Sequence, residues 1–92
     1  MGKILKIKDN VDLKELEKFG FEENEFYPNY VYECRTNKHK YYVFICVNKD
    51  NREITGFLGN FEHTKLNENQ IKHYCPCIFE KNLVEKVEAK WS

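Results

Sequence analysis

No excess of either charge marks this 92-residue chain: fifteen basic residues face fifteen acidic ones, and the formal net charge is zero. A protein built to wrap nucleic acid carries a large positive surplus, and an acidic mimic of DNA a negative one. Overall charge therefore argues against both, while leaving room for local patches. No apolar run approaches the eighteen or so residues of a membrane span, so none is expected. The opening MGKILKIKDN lacks the apolar stretch of a secretory leader, and Lys6 stands where a myristoylation signal after Gly2 requires Ser or Thr. The expected location is cytoplasmic, where thiols stay reduced, so the four cysteines are expected as buried thiols rather than a disulfide framework. Glycine is scarce. Gly2, Gly20, Gly56 and Gly59 are scattered and form no phosphate-binding loop, and a bulge is the usual reason for the last two, in or at the end of a strand.

Aromatic and β-branched residues are what the chain does have. The runs YVYECRT, YYVFICV and REITGFL are separated by Asn37-Lys38-His39-Lys40 and Asn48-Lys49-Asp50-Asn51. Strand-forming runs between Asn/Asp-rich breaks predict an antiparallel three-stranded β-meander over about residues 30–58. With turns of two or four residues, positions 31, 33 and 35 oppose 46, 44 and 42. One face then carries Tyr30, Tyr32, Cys34, Tyr41, Val43, Ile45, Val47, Ile54 and Leu58, and is the core face. The other carries Val31, Glu33, Arg35, Tyr42, Phe44, Cys46, Glu53, Thr55 and Phe57.

Short elements flank the meander. Residues 3–8 alternate apolar and basic, as an edge strand does. Asp12 with Glu15 reads as a capping box, Val11 and Leu16 as its staple, and Gly20 as the left-handed residue that ends a helix over 13–19. Glu22 to Asn29 is acidic, closes on Pro28-Asn29 and reads as a loop. Asn67 with Gln70 is a second capping box, Pro76 should break or restart that helix, and Asn82 can end it. Leu83, Val87, Ala89 and Trp91 keep period-two spacing and predict a last strand. The expectation is a single α+β domain over 1–92, with terminal strands and two helices packed on one face of the meander.

His73, Cys75 and Cys77 cluster, with His63 ten residues earlier. Zinc needs four ligands around a tetrahedron, and Cys-Pro-Cys is tighter than the usual spacing, while Cys34 and Cys46 point to opposite sheet faces. A small zinc-stabilised domain is thus a lesser alternative, and no metal or cofactor is expected. A redox pair would be Cys-x-x-Cys at a helix start, and a Cys77–His73 couple lacks an orienting group or oxyanion nest. Glu22, Glu23 and Glu25 lack the ligand alternation of a calcium loop. No catalytic residue is proposed, and the chain is not expected to be an enzyme.

The element order resembles the RNA-recognition fold, and KYYVFICV (40–47) resembles that fold's aromatic strand. The resemblance implies base stacking on Tyr42 and Phe44, with Arg35, Lys38, His39 and Lys40 as a basic fringe. Tyr41 replaces the motif's small glycine, and ILKIKD has no aromatic. A single-stranded nucleic-acid module using Tyr42, Phe44 and Phe57 is accordingly the alternative reading.

The opening ILKIKDNVDLKELEKFGF and the ending LVEKVE resemble a group of small prophage-encoded proteins of low-GC Gram-positive bacteria. The resemblance implies a phage or mobile-element setting and transfers no active residue. Such accessory proteins often work by occupying a host or defence protein. The expected function is therefore non-catalytic binding of a host or defence protein, through Tyr42, Phe44, Phe57, Arg35, Lys38 and Lys40, with nucleic acid and membrane disfavoured as partners.

Overall fold

The computed structural model describes residues 3–35, 42–59 and 62–88. Strand β1 (Lys3–Ile7) leads into a 3₁₀ helix (Leu13–Phe19), and β2 (Glu22–Glu23), β3 (Asn29–Arg35), β4 (Tyr42–Asn48) and β5 (Ile54–Leu58) follow. Helices α1 (Glu68–Tyr74) and α2 (Pro76–Glu80) and strand β6 (Val84–Glu88) complete the described chain. The order β2-β3-β4-β5 makes a four-stranded antiparallel sheet, and β1 pairs with β6 in a second sheet of two strands. The predicted meander is present as β3–β5. It gains β2 from a segment that reads as a loop, because two adjacent glutamates between Phe21 and Asn24 give no alternating strand signal of their own.

The predicted register holds. Val31 opposes Cys46, Glu33 opposes Phe44 and Arg35 opposes Tyr42. Side chains alternate across a strand, so this pairing sends Tyr30, Val43, Ile45, Val47 and Ile54 into the core, all of them buried. Between β4 and β5 the pairing runs unbroken from Val43–Leu58 to Val47–Ile54, so neither glycine marks a bulge within it. Gly56 instead makes room for packing: a Cβ there would lie 3.0 Å from Ile45 Cδ1 and 3.1 Å from Ile71 Cγ1.

Both predicted helical regions cover the core face, through buried Leu16, Ile71 and Ile78. The first is a 3₁₀ helix. Leu13, Leu16 and Phe19 are spaced by threes, which aligns them on one side at three residues per turn, and all three pack on the core. The tighter winding alters the cap. Asp12 accepts from the Lys14 N–H at 3.0 Å while the Glu15 N–H bonds the Asp12 carbonyl, and the Glu15 carboxylate pairs with Lys18. Asp12 thus caps the helix, but through Lys14, and the expected reciprocal box with Glu15 does not form. At Asn67 it is complete, with the Gln70 N–H on Oδ1 and the Asn67 N–H on Gln70 Oε1, each 2.9 Å. Pro76 restarts the helix as expected: Cys75 caps α1, and Pro76 opens α2 where its missing N–H is harmless. Asn82, left-handed at φ 59°, turns the chain into β6.

The predicted last strand is present as β6, and Val84, outside the predicted period-two set, is the valine that packs on the core. Val84 opposes Ile7 and Val87 opposes Ile4, so the two valines lie on opposite sides of the pair. Ala89 and Trp91 lie outside the described residues. Strand β1, one edge of the two-stranded sheet, also meets the residues just before β5 through the Lys6–Glu53 bridge and the Ile7 N–H to Arg52 carbonyl bond of 3.0 Å. Arg52 fastens this junction. Its backbone is left-handed at φ 65°, and its Nη1 donates to the carbonyls of Lys8 at 2.9 Å and Val11 at 2.6 Å.

Candidate protein-docking surface

The described helices cover one face of the four-stranded sheet and leave the other with its own side chains. Register makes that outer face an ordered array. One row runs Glu33, Phe44, Phe57, Lys65, the last through a bridge that lays residues 64–66 along β5. The next runs Glu22, Val31, Cys46, Thr55. At the far end Tyr42 lies beside Arg35, and the Gly59 N–H donates to the Tyr42 carbonyl at 2.7 Å.

Rings on this face touch in series. Tyr42 and Phe44 have centroids 6.3 Å apart, Phe44 and Phe57 stack at 5.3 Å with planes 26° apart, and His63 joins Phe57 at 5.8 Å. Phe44 lies flat because Gly59 has no side chain: a Cβ there would fall 2.7 Å from Phe44 Cε2. Tyr42 is 45% exposed, and Phe44 and Phe57 are half-buried. The three predicted aromatics therefore form one surface stripe. Arg35 ends β3 beside it, but its side chain, like Lys38 and Lys40, lies outside the described residues. Glu22 and Glu33 make the β2 side acidic, and with Glu23 they line an open hollow of about 380 Å³. Lys65 and His63 make the opposite side basic.

A second aromatic feature escaped the sequence reading. Phe26 is 87% and Tyr27 67% exposed, at the tip of the segment that reads as an acidic loop. The tip is well fastened. Asn24 Oδ1 accepts from the Phe26 and Tyr27 N–H groups at 2.8 and 3.2 Å, and the Lys49 N–H bonds the Pro28 carbonyl at 2.7 Å. The available signal was Asn24 followed by adjacent aromatics among glutamates, where no apolar periodicity could bring them into a core.

The thiols are placed differently. Cys75 is fully buried and its sulfur lies 3.7 Å from that of Cys77, while all four cysteines remain out of disulfides. Burial first, then the neighbouring Cys77, pushes the Cys75 thiol up to about 12, which suppresses thiolate chemistry. Cys34 lies on the same side of the sheet as this pair, and Cys46 on the outer face, where burial raises its thiol too. His63 lies against Phe57 on the outer face and His73 is exposed beside Tyr74. Among the described residues no three His, Cys, Asp or Glu side chains are grouped to hold a metal ion, and no hydrogen bond joins His73 to Cys77. No helix of the described residues is long and apolar enough to cross a membrane.

No protein-family model matches the chain, and no curated protein or solved structure matches it at a significant level.

Proposed function

We propose that this is a non-catalytic accessory protein of a phage or mobile element that acts by binding another protein, interfering with a host defence or regulatory factor. The observation that carries the reading is the stripe Tyr42–Phe44–Phe57, which none of the described helices covers and whose rings offer apolar area with little conformational entropy to lose. The resemblance at the two ends of the chain supports the setting, and the burial of Cys75 argues against a reaction at its thiol. The test is capture from the lysate of a low-GC Gram-positive host, read by mass spectrometry, with wild type beside Tyr42→Ala and Phe44→Ala. A partner retained by wild type and lost by both variants, with circular dichroism unchanged, supports the reading. Equal retention by all three overturns the stripe as the docking site.

Single-stranded nucleic acid is the alternative that the stacked Phe44 and Phe57 favour. Glu33 in the same row and Glu22 in the next oppose it, since both would repel phosphates. Each phosphate neutralised on a single strand adds about −0.7 to the log–log salt slope, so such binding would fall steeply with salt. No tight binding is expected near 150 mM salt. Submicromolar binding to an oligonucleotide that disappears with Tyr42→Ala would establish the alternative.

A further inference from the structure

We propose that in the free protein the outer sheet face is closed by a second copy of the chain, the two sheets packing face to face about a two-fold axis parallel to the strands. The inference rests on reading this face as a docking surface and names its occupant in the absence of a foreign partner. Self-complementarity is the argument. The central row places Glu33, Phe44 and Phe57 on three successive strands and Lys65 on the segment bridged to β5, so charge changes sign across the face while the middle stays apolar. A two-fold axis along the strands, passing between β4 and β5, reverses this order in the opposing copy. Glu33 then faces Lys65, Phe44 faces Phe57, and Cys46 faces Thr55 in the adjoining row. An axis across the strands would instead set Glu33 against Glu33 and Lys65 against Lys65.

Shape admits the same occupant. Phe44 packs over Gly59 and stacks on Phe57 with planes 26° apart, so the middle of the face is a close-packed layer of rings. A second sheet can pack on such a layer, aligned and about 10 Å away. Three strands and the bridged segment beside β5, spaced about 4.8 Å apart over three paired rows, project to roughly 400 Å² per subunit. That lies at the low end for specific association, so the dimer should be reversible and exchange with a foreign partner.

Sedimentation velocity on the full chain, from about 1 µM to about 500 µM, tests this in the range where small interfaces dissociate. Wild type should pass from monomer to dimer. Glu33→Lys and Lys65→Glu should each move the midpoint to roughly three- to tenfold higher concentration, by setting like charges face to face. The double variant should return toward wild type, and Tyr42→Glu, at an exposed position that folding tolerates, should stay monomeric. A wild type that is monomeric throughout overturns self-association and leaves the docking reading to the lysate capture. A dimer indifferent to both single reversals, or a double variant weaker than either, overturns this geometry. Lysate capture unaffected by Tyr42→Glu overturns the docking reading itself, whatever the oligomeric state.

Discussion

One methyl group is enough to disturb the core at Gly56, where an added Cβ would meet Ile45, Ile71 and Leu66 at 3.0 to 3.2 Å. Gly56→Ala is expected to destabilise by about 1–3 kcal/mol through overpacking, with an unchanged urea m-value. The reverse change, Ile45→Ala at a side chain with no exposure, should cost about 2–5 kcal/mol by denaturant unfolding. Ile45 was legible in the sequence because strand parity assigns it a face. The Cys75–Cys77 contact was not, since nothing in Cys-Pro-Cys says that both sulfurs turn inward. Cys75 titrates near 9 when unfolded and is held near 12 when folded. Between those values the unfolded chain has lost a proton that the native chain keeps, so this contribution is complete below pH 9 and lost as pH rises. Burial raises Tyr30 and Tyr32 as well, in the same direction. Denaturation midpoints should accordingly fall between about pH 8 and about pH 10.5. Iodoacetamide should leave Cys75 unmodified in the native protein and modify all four cysteines in denaturant, as read by mass spectrometry.

Helix α1 rests on its reciprocal cap, which was readable from Asn67 and Gln70 alone. Asn67→Ala should cost about 0.5–2 kcal/mol in thermal or chemical unfolding. The equivalent motif at Asp12 shows the limit of such reading: the same spacing yields a 3₁₀ turn when the apolar residues repeat every three. Helix type there was settled by packing on the core rather than by the cap. Strand β2 was hidden for a different reason. Its two glutamates are exposed, and what holds them in place is β3, together with the ion pair between Glu23 and Lys49. That pair draws the Glu23 carboxyl below its ordinary range. Tertiary pairing of this kind leaves no local trace. The candidate stripe was legible because it depends only on parity within β4 and β5, whereas Phe26 and Tyr27 depend on how a turn folds outside any periodic element.

Arg52 ties the two sheets into one molecule, since its guanidinium reaches both Lys8 and Val11 from the turn that precedes β5. Arg52→Ala should lower the melting temperature and quicken amide exchange around β1 more than within β3 and β4, as followed by hydrogen–deuterium exchange. Purified protein is expected to contain no stoichiometric zinc and to keep its melting temperature in chelator. One zinc per chain by elemental analysis would contradict this and direct mutation to His63, His73, Cys75 and Cys77. The pairing of β1 with β6 joins segments from nearly opposite ends of the described chain. During synthesis on a ribosome β1 emerges ahead of the other described elements, yet its principal strand partner is among the last described residues to be made. Until then Leu5 and Ile7, both buried in the finished fold, lack one of their covering strands. The meander can assemble early from local hairpins, while this closing pair bears the long loop-closure entropy and forms late. A nascent chain halted before Val84 should therefore remain protease-sensitive at its beginning while its central strands are already protected.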